Sequence, residues 1–239
     1  MKGYVFIPVL VGSFLIAMGI YTYLLPDFIK LGGYLVPFLI TLSILLFTFI
    51  AERLFTIRRA QGRGDVGRFT RNLKKAVDAG ELEAAIDVCR RQGGSIANVV
   101  GAGLERYQGL SGSKLDNDEK IDETKRAIEE ANALEIPLLE RNLIALSTIA
   151  SISTMVGLLG TTVGMIRSFA ALGTSGAVDA TKLAVGISEA LVNTAGGLLC
   201  AIIGIVAYNV FTTKVDNFSY MIDEASFEAV QFLSTRARD

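Results

Sequence analysis

Four apolar stretches punctuate this chain, and each is long enough to cross a bilayer. They are Gly3–Leu25, Gly32–Ala51, Leu143–Ile166 and Leu183–Phe211. A hydrocarbon core takes about 20 helical residues to span. Between the second and third lies a charged stretch, roughly 58–140, whose apolar positions recur at helical spacing. Val66–Ala79 predicts one helix, stopped by Gly80, and Glu81–Gln92 a second, stopped by Gly93-Gly94. Ser95–Leu110 predicts a third, and Gly109–Ser113 a loop. Asp116 opens another helix with Glu119 as its capping-box partner, and Ile121, Ile128, Ala131 and Leu138 share a face. No stop signal separates that helix from the third span, although Pro137 removes a backbone bond and predicts a kink. If continuous, Asn117 to Ser168 would be roughly 75 Å long. After Lys214, the positions Val215, Phe218, Ile222 and Phe227 extend the fourth span as a helix. The pattern predicts an all-α integral membrane protein whose long transmembrane helices extend into a cytoplasmic helical domain.

Charge sets the orientation. Of the 23 lysines and arginines, 16 lie between Arg53 and Arg141. The loop Pro26–Leu31 carries only Lys30, and the loop Ala170–Lys182 only Lys182. Basic residues stay inside, so the charged stretch is expected in the cytoplasm, and four spans then put both termini there. The first span lacks a small-x-small cleavage site and is longer than a signal sequence, so it is expected to be retained. A net charge of −1 gives no footing for nucleic acid. There is no His, and Cys89 and Cys200 have no metal-ligand spacing, so neither a metal nor a cofactor is expected. No nucleophile–base set points to an enzyme.

Composition matters most inside the spans. Glu189 is the only charge in Leu183–Phe211. A carboxylate at a helix centre in lipid costs from about 2.5 kcal/mol upward, so such residues face a protein interior, a pore or a partner. Asn193 shares its face, while Thr194 lies about 140° round the helix. The two cannot both point straight at one pore centre. The third span carries seven hydroxyls: Ser147, Thr148, Ser151, Ser153, Thr154, Thr161 and Thr162. Gly160 and Gly164 form a small-xxx-small pair that lets helices approach closely, and Gly157, Gly196 and Gly197 suit the same role. Two readings stay open: a polar seam that only packs, or an ion or proton path. Arg167, near the outer end of the third span, is a candidate charge partner of Glu189, with an interfacial, snorkelling side chain as the preferred reading.

The strings Leu158-Leu159-Gly160-Thr161-Thr162-Val163-Gly164-Met165-Ile166 and Gly186-Ile187-Ser188-Glu189-Ala190-Leu191 with Thr194 and Gly197-Leu198 resemble two signatures of the ExbB/TolQ branch of the MotA/TolQ/ExbB proton channel family. Tyr208-Asn209-Val210-Phe211 is similar to the inner end of that helix, and Gly32-Gly33-Tyr34 through Glu52-Arg53-Leu54 to the family's first span. The resemblance covers about 32–235. It implies a homo-pentamer around a dimer of an ExbD-like single-span partner, with work passed to a TonB-like protein. By matched position it makes Thr161 and Thr194 pore hydroxyls and Glu189 the helix acid, with Asn193 beside it. The chain then divides into an extra N-terminal transmembrane helix (1–25), a transmembrane helix (32–57), a cytoplasmic helical domain (58–140), a transmembrane helix (141–169), a periplasmic loop (170–182), a transmembrane helix (183–212) and a cytoplasmic C-terminal helix (213–239). The expected place is the bacterial inner membrane. Three spans are usual in that branch. The extra one keeps a MotA- or gliding-type motor as an alternative, with a non-conducting scaffold as the alternative of another class. A secondary transporter would show repeats and broken helices, which are not visible.

Overall fold

A computed structural model of the chain describes residues 3–174 and 180–236. Expectations that fall on residues 1–2, 175–179 and 237–239 lie outside the described residues. Every element described is helical: α1 Gly3–Gly19, α2 Asp27–Lys30, α3 Leu35–Ala60, α4 Val66–Asp78, α5 Leu82–Gln92, α6 Gly94–Gly109, α7 Asn117–Glu140, α8 Leu143–Thr174 and α9 Ala180–Arg236. A π-helical turn, Ile20–Leu24, continues α1. Among the described residues, four helices are long and apolar enough to cross a membrane. The chain forms two compact units, Met1–Arg53 with Asn142–Val210, and Leu54–Arg141 with Phe211–Asp239.

In the first unit α3, α8 and α9 pack together, with Leu39, Leu46, Leu146, Ala190 and Ala201 buried. One face of α3 turns Leu39 and Leu46 onto α9, where a Cβ at Gly196 or Gly204 would touch them at 3.4 and 3.3 Å. Its other face leaves Phe38 and Phe47 exposed. Half of α3 thus covers the fourth span. Arg53 is buried and held by Glu52, whose Oε1 and Oε2 accept from Nη2 and Nε at 2.7 and 2.8 Å. A buried cation requires such a partner.

The second unit is built as its caps dictate. Asp65 accepts from the Arg68 amide at 2.8 Å and starts α4, and Gly80, at φ 74°, ends it. The Asp116–Glu119 capping box is present at the start of α7. Phe69, Leu73 and Val77 of α4 are buried, as are Ile86 and Cys89 of α5, Val99, Val100 and Leu104 of α6, and Ile121 and Ile128 of α7. On α9 the buried positions run Val215, Phe218, Ile222, Ala225, Ala229 and Leu233. Phe227 is exposed, because five residues from Ile222 turn it about 140° off that face. Leu138 is likewise exposed, and Leu139 takes the buried place.

The long helix imagined from Asn117 to Ser168 is broken. Arg141 leaves the helical region at ψ 138° and Asn142 takes φ 64°, so α7 ends at Glu140 and α8 begins at Leu143. The break comes four residues after Pro137 rather than at it. Asn is the residue that best tolerates the left-handed region after Gly. It also serves a contact there, since Asn142 Nδ2 donates to Glu52 Oε2 at 3.3 Å.

Burial pushes the Cys89 thiol up to about 12, with the nearby Glu105 carboxylate raising it further. A thiol reacts as its thiolate, so Cys89 is expected to resist alkylation at pH 8 in the native chain and to react on denaturation. Native reaction as fast as that of the denatured chain would contradict this burial. The sign of the linked stability follows. The unfolded thiol ionises near 9.0 and the folded one higher, so its contribution is intact below 9 and declines as pH rises toward 12. Thermal midpoints should fall more steeply with pH in that window for the native sequence than for Cys89→Ser.

Candidate functional site

The site begins with missing side chains. Along the crossing of α8 and α9, Gly157, Gly160 and Gly164 face Gly186, Ala190, Asn193 and Gly197. A Cβ on Gly197 would stand 2.5 Å from the Ser153 carbonyl and 2.8 Å from Gly157 Cα; one on Gly164 would stand 2.6 Å from the Gly186 carbonyl. Backbone therefore meets backbone, as small residues at membrane depth permit. Hydroxyls on the seam bond inside it. Ser153 donates to the Ile149 carbonyl at 2.7 Å and lies 3.2 Å from Cys200 Sγ. Ser168 donates to the Gly164 carbonyl at 3.0 Å and reaches the Leu183 carbonyl at 3.3 Å.

Glu189 and Asn193 leave this seam on the side that α3 covers. Glu189 is 6% exposed. Its Oε1 accepts from Arg167 Nη1 at 2.5 Å, and the Arg167 guanidinium also sits 5.7 Å from the centre of the Tyr34 ring. Arg167 thus differs from the interfacial side chain the sequence suggested. Glu189, about two and a half turns into α9 from Ala180, lies level with the last turns of α8, so the charges meet and neither is stranded. Gly33 makes room for the carboxylate: at φ 68°, its Cβ would lie 2.6 Å from Glu189 Oε1. Asn193 is fully buried and donates from Nδ2 to the Gly32 carbonyl at 2.8 Å. Its Oδ1 has no hydrogen-bond partner. The Gly32-Gly33 turn entering α3 therefore caps both polar side chains.

Thr161 and Thr194 sit apart from this pair, at the open edge of the seam. Thr194 donates across it to the Gly157 carbonyl at 3.2 Å. Thr161, one turn beyond Gly157, bonds back to the Leu158 carbonyl at 2.6 Å. Both are half-buried. Around the helix from them Thr148, Ser151 and Thr162 are exposed, in line with Met155 and Leu158. The hydroxyls of α8 thus divide into a buried set that packs α9 and an exposed set that the chain itself leaves open.

The structure brings Glu189 and Asn193 together on one side of the seam and Thr161 and Thr194 near its other edge. The predicted packing glycines all lie in helix crossings. Gly157, Gly160, Gly164 and Gly197 are on the α8–α9 seam, and Gly196 faces Leu39 of α3. Sequence reasoning missed the roles of Gly33, Gly186 and Ser168. The signal for Gly33 was present as a Gly-Gly pair at the mouth of a span, where positive φ is cheapest.

Residues 94–224 match the MotA/TolQ/ExbB proton channel family. The Tol-Pal system protein TolQ of Pseudomonas aeruginosa is 35% identical over 160 residues, 62% of this chain and 69% of that protein. The biopolymer transport protein ExbB of Salmonella typhimurium is 29% identical over 177 residues, 72% of this chain and 70% of that protein. A putative ExbB-like biopolymer transport protein of Synechocystis is 44% identical over 91 residues, 37% of this chain and 43% of that protein.

The glycines give a graded test. Gly197→Ala drives a Cβ into backbone on both sides, and Gly33→Ala adds strain at positive φ to a clash with Glu189. Each is expected to lose about 1–3 kcal/mol of stability, read as a lower thermal midpoint in detergent. Gly196→Ala meets only Leu39 Cδ1 at 3.4 Å and should be near neutral. Equal midpoints for Gly196→Ala and Gly197→Ala would refute the close crossing.

Proposed function

The chain belongs to the MotA/TolQ/ExbB proton channel family, and from that membership we propose that it is the multi-pass subunit of an ExbB- or TolQ-type proton-driven motor in the bacterial inner membrane. In this reading five copies surround a dimer of a single-span, ExbD-like partner that carries its own intramembrane acid. Proton entry down the membrane potential, about 2.3 kcal/mol per charge per 100 mV, drives rearrangement of that inner pair. In the ExbB form the output reaches a TonB-like protein and outer-membrane transport. Output to a Tol-Pal-type envelope system is the second reading, favoured by the TolQ among the relatives. Residues 58–140 and 213–239 lie in the cytoplasm, with both termini, and the segment near 170–182 faces the periplasm.

The observation that carries the reading is Glu189, a buried carboxyl within a span, beside Asn193 with an unpartnered oxygen. Packing alone would favour satisfied groups at that depth. The open edge supports the partner's place: Thr161 and Thr194 offer hydroxyls there, and Thr148, Ser151 and Thr162 extend a polar strip along α8. Thr161 and Thr194 line the proton path beside the partner's acid. Glu189 acts behind them, as relay or gate at the outer end. Arg167 holds it in place until another partner or a proton takes over that contact.

Glu189→Gln keeps shape and hydrogen bonding but cannot ionise, and Glu189→Ala keeps neither. Both are expected to abolish proton-dependent output in cells while the complex with its one-span partner still assembles, as judged by native mass. Full output with Glu189→Gln would reduce Glu189 to packing. Native mass also checks the ring, with five copies of this chain and two of the partner expected.

A further inference from the structure

An arginine-lined cavity in the second unit takes no part in the reading above. It holds about 550 Å³, within the range of small-molecule sites. Arg59, Arg63, Arg90 and Arg91 line it, with Ser95 and Gln92. The one carboxylate on its wall is Glu135, whose Oε1 accepts from Asn98 Nδ2 at 2.8 Å. Arg90 also pairs with Glu105 at 2.9 Å, and Arg91 lies 3.8 Å from Asp87. Arg59 and Arg63 form no ion pair among the described residues.

The fold assembles these groups from distant segments. Arg59 and Arg63 flank the exit of α3; Arg90 and Arg91 end α5. Three glycines at positive φ, Gly62, Gly93 and Gly94, pin the two together. A Cβ on Gly94 would lie 2.6 Å from the Gly62 nitrogen, and the Arg63 amide donates to the Gln92 carbonyl at 2.6 Å. At the same corner α6 begins without a side-chain cap, so its first amides and the positive end of its dipole are open. Ser95, in that first turn, is 4% exposed and lines the cavity, yet its hydroxyl has no hydrogen-bond partner among the described residues. As a lining residue it offers a hydroxyl donor to whatever fills the cavity.

Guanidinium forks, a free hydroxyl and open amides all donate. Together they match an anion with several acceptor oxygens, and planar guanidiniums match phosphate in pairs. We propose that this cavity binds a phosphate ester, carried either on the headgroup of an anionic phospholipid or on a soluble organic phosphate. Its apolar lip supports an ester over a bare ion: Ala60, Leu138 and Leu139 line it, and Leu138 is 53% exposed. Arg59 stands eight residues past Ala51 on α3, and Leu138 five before Leu143, so both are close in sequence to predicted membrane boundaries.

The test uses the full chain in a non-ionic detergent, with two probes. Glycerol 3-phosphate is the soluble arm, and phosphatidylglycerol in mixed micelles is the lipid arm, with phosphatidylcholine as its zwitterionic control. Binding is read by native mass and by the shift in thermal midpoint. The double variant Arg59→Gln, Arg63→Gln should weaken binding by about tenfold or more, the scale of lost charge-assisted hydrogen bonds. Ser95→Ala should weaken it by a smaller factor. Arg58→Gln with Arg71→Gln, the same charge change outside the cavity lining, should leave it within about twofold, since a distant charge acts only through the screened field. Binding of phosphatidylglycerol alone assigns the site to a membrane headgroup, and binding of glycerol 3-phosphate to a soluble ester. Saturable binding in neither arm overturns the proposal. So does equal loss in the two double variants, or equal binding of phosphatidylcholine. Neither probe reads proton flow, so failure here leaves the channel reading untouched.

Discussion

The contact of backbone with backbone between Gly157 and Gly197 is the constraint on which the first unit depends. Helices in lipid gain nothing from hiding apolar surface, so they associate by fit and by polar contacts. Removing side chains from the crossing lets α8 and α9 approach until carbonyls and hydroxyls reach across. Thr194 bonds to the Gly157 carbonyl only because nothing intervenes. Ser168 reaches the Leu183 carbonyl for the same reason. The seam also fixes rotation. With Gly197 and Ala190 turned onto α8, Glu189 and Asn193 must point to the side that α3 covers.

That rotation determines where charge sits. A carboxylate turned to lipid would be expensive, and one turned to a lumen would depend on other subunits. Here a single chain already supplies the counter-charge, the ring of Tyr34 behind it and the glycine gap in front of it. Glu189 is therefore held before any assembly forms. Thr161 and Thr194, by contrast, keep an open side. One chain so holds its acid in a buried ion pair and leaves two bonded hydroxyls half-buried at an open edge.

Much of this was legible in the residues. The spans, the cap at Asp116 and the packing glycines follow from period, capping chemistry and side-chain size, which act within a few residues. Three features were not. The break at Arg141 and Asn142 carries no Gly or Pro of its own, and it rests on the tolerance of Asn for positive φ and on a contact with Glu52, ninety residues away in the chain. The pairing of Arg167 with Glu189 depends on the relative height of two helices, and no local pattern encodes it. Phe227 was misplaced because five-residue spacing looks helical in a list but falls on another face.

The Arg167–Glu189 pair bears on mechanism through a simple asymmetry. Breaking a desolvated ion pair by removing one partner leaves the other uncompensated, a loss of about 3–5 kcal/mol. Which partner is removed decides the cost here. Arg167 is half exposed, whereas Glu189 is not, so the guanidinium has somewhere to go and the carboxyl does not. Removing Arg167 would therefore strand a buried carboxylate, whereas removing Glu189 would leave a guanidinium that already has an exposed side. A charge pair internal to one chain is unequal in this way because its two members differ in freedom.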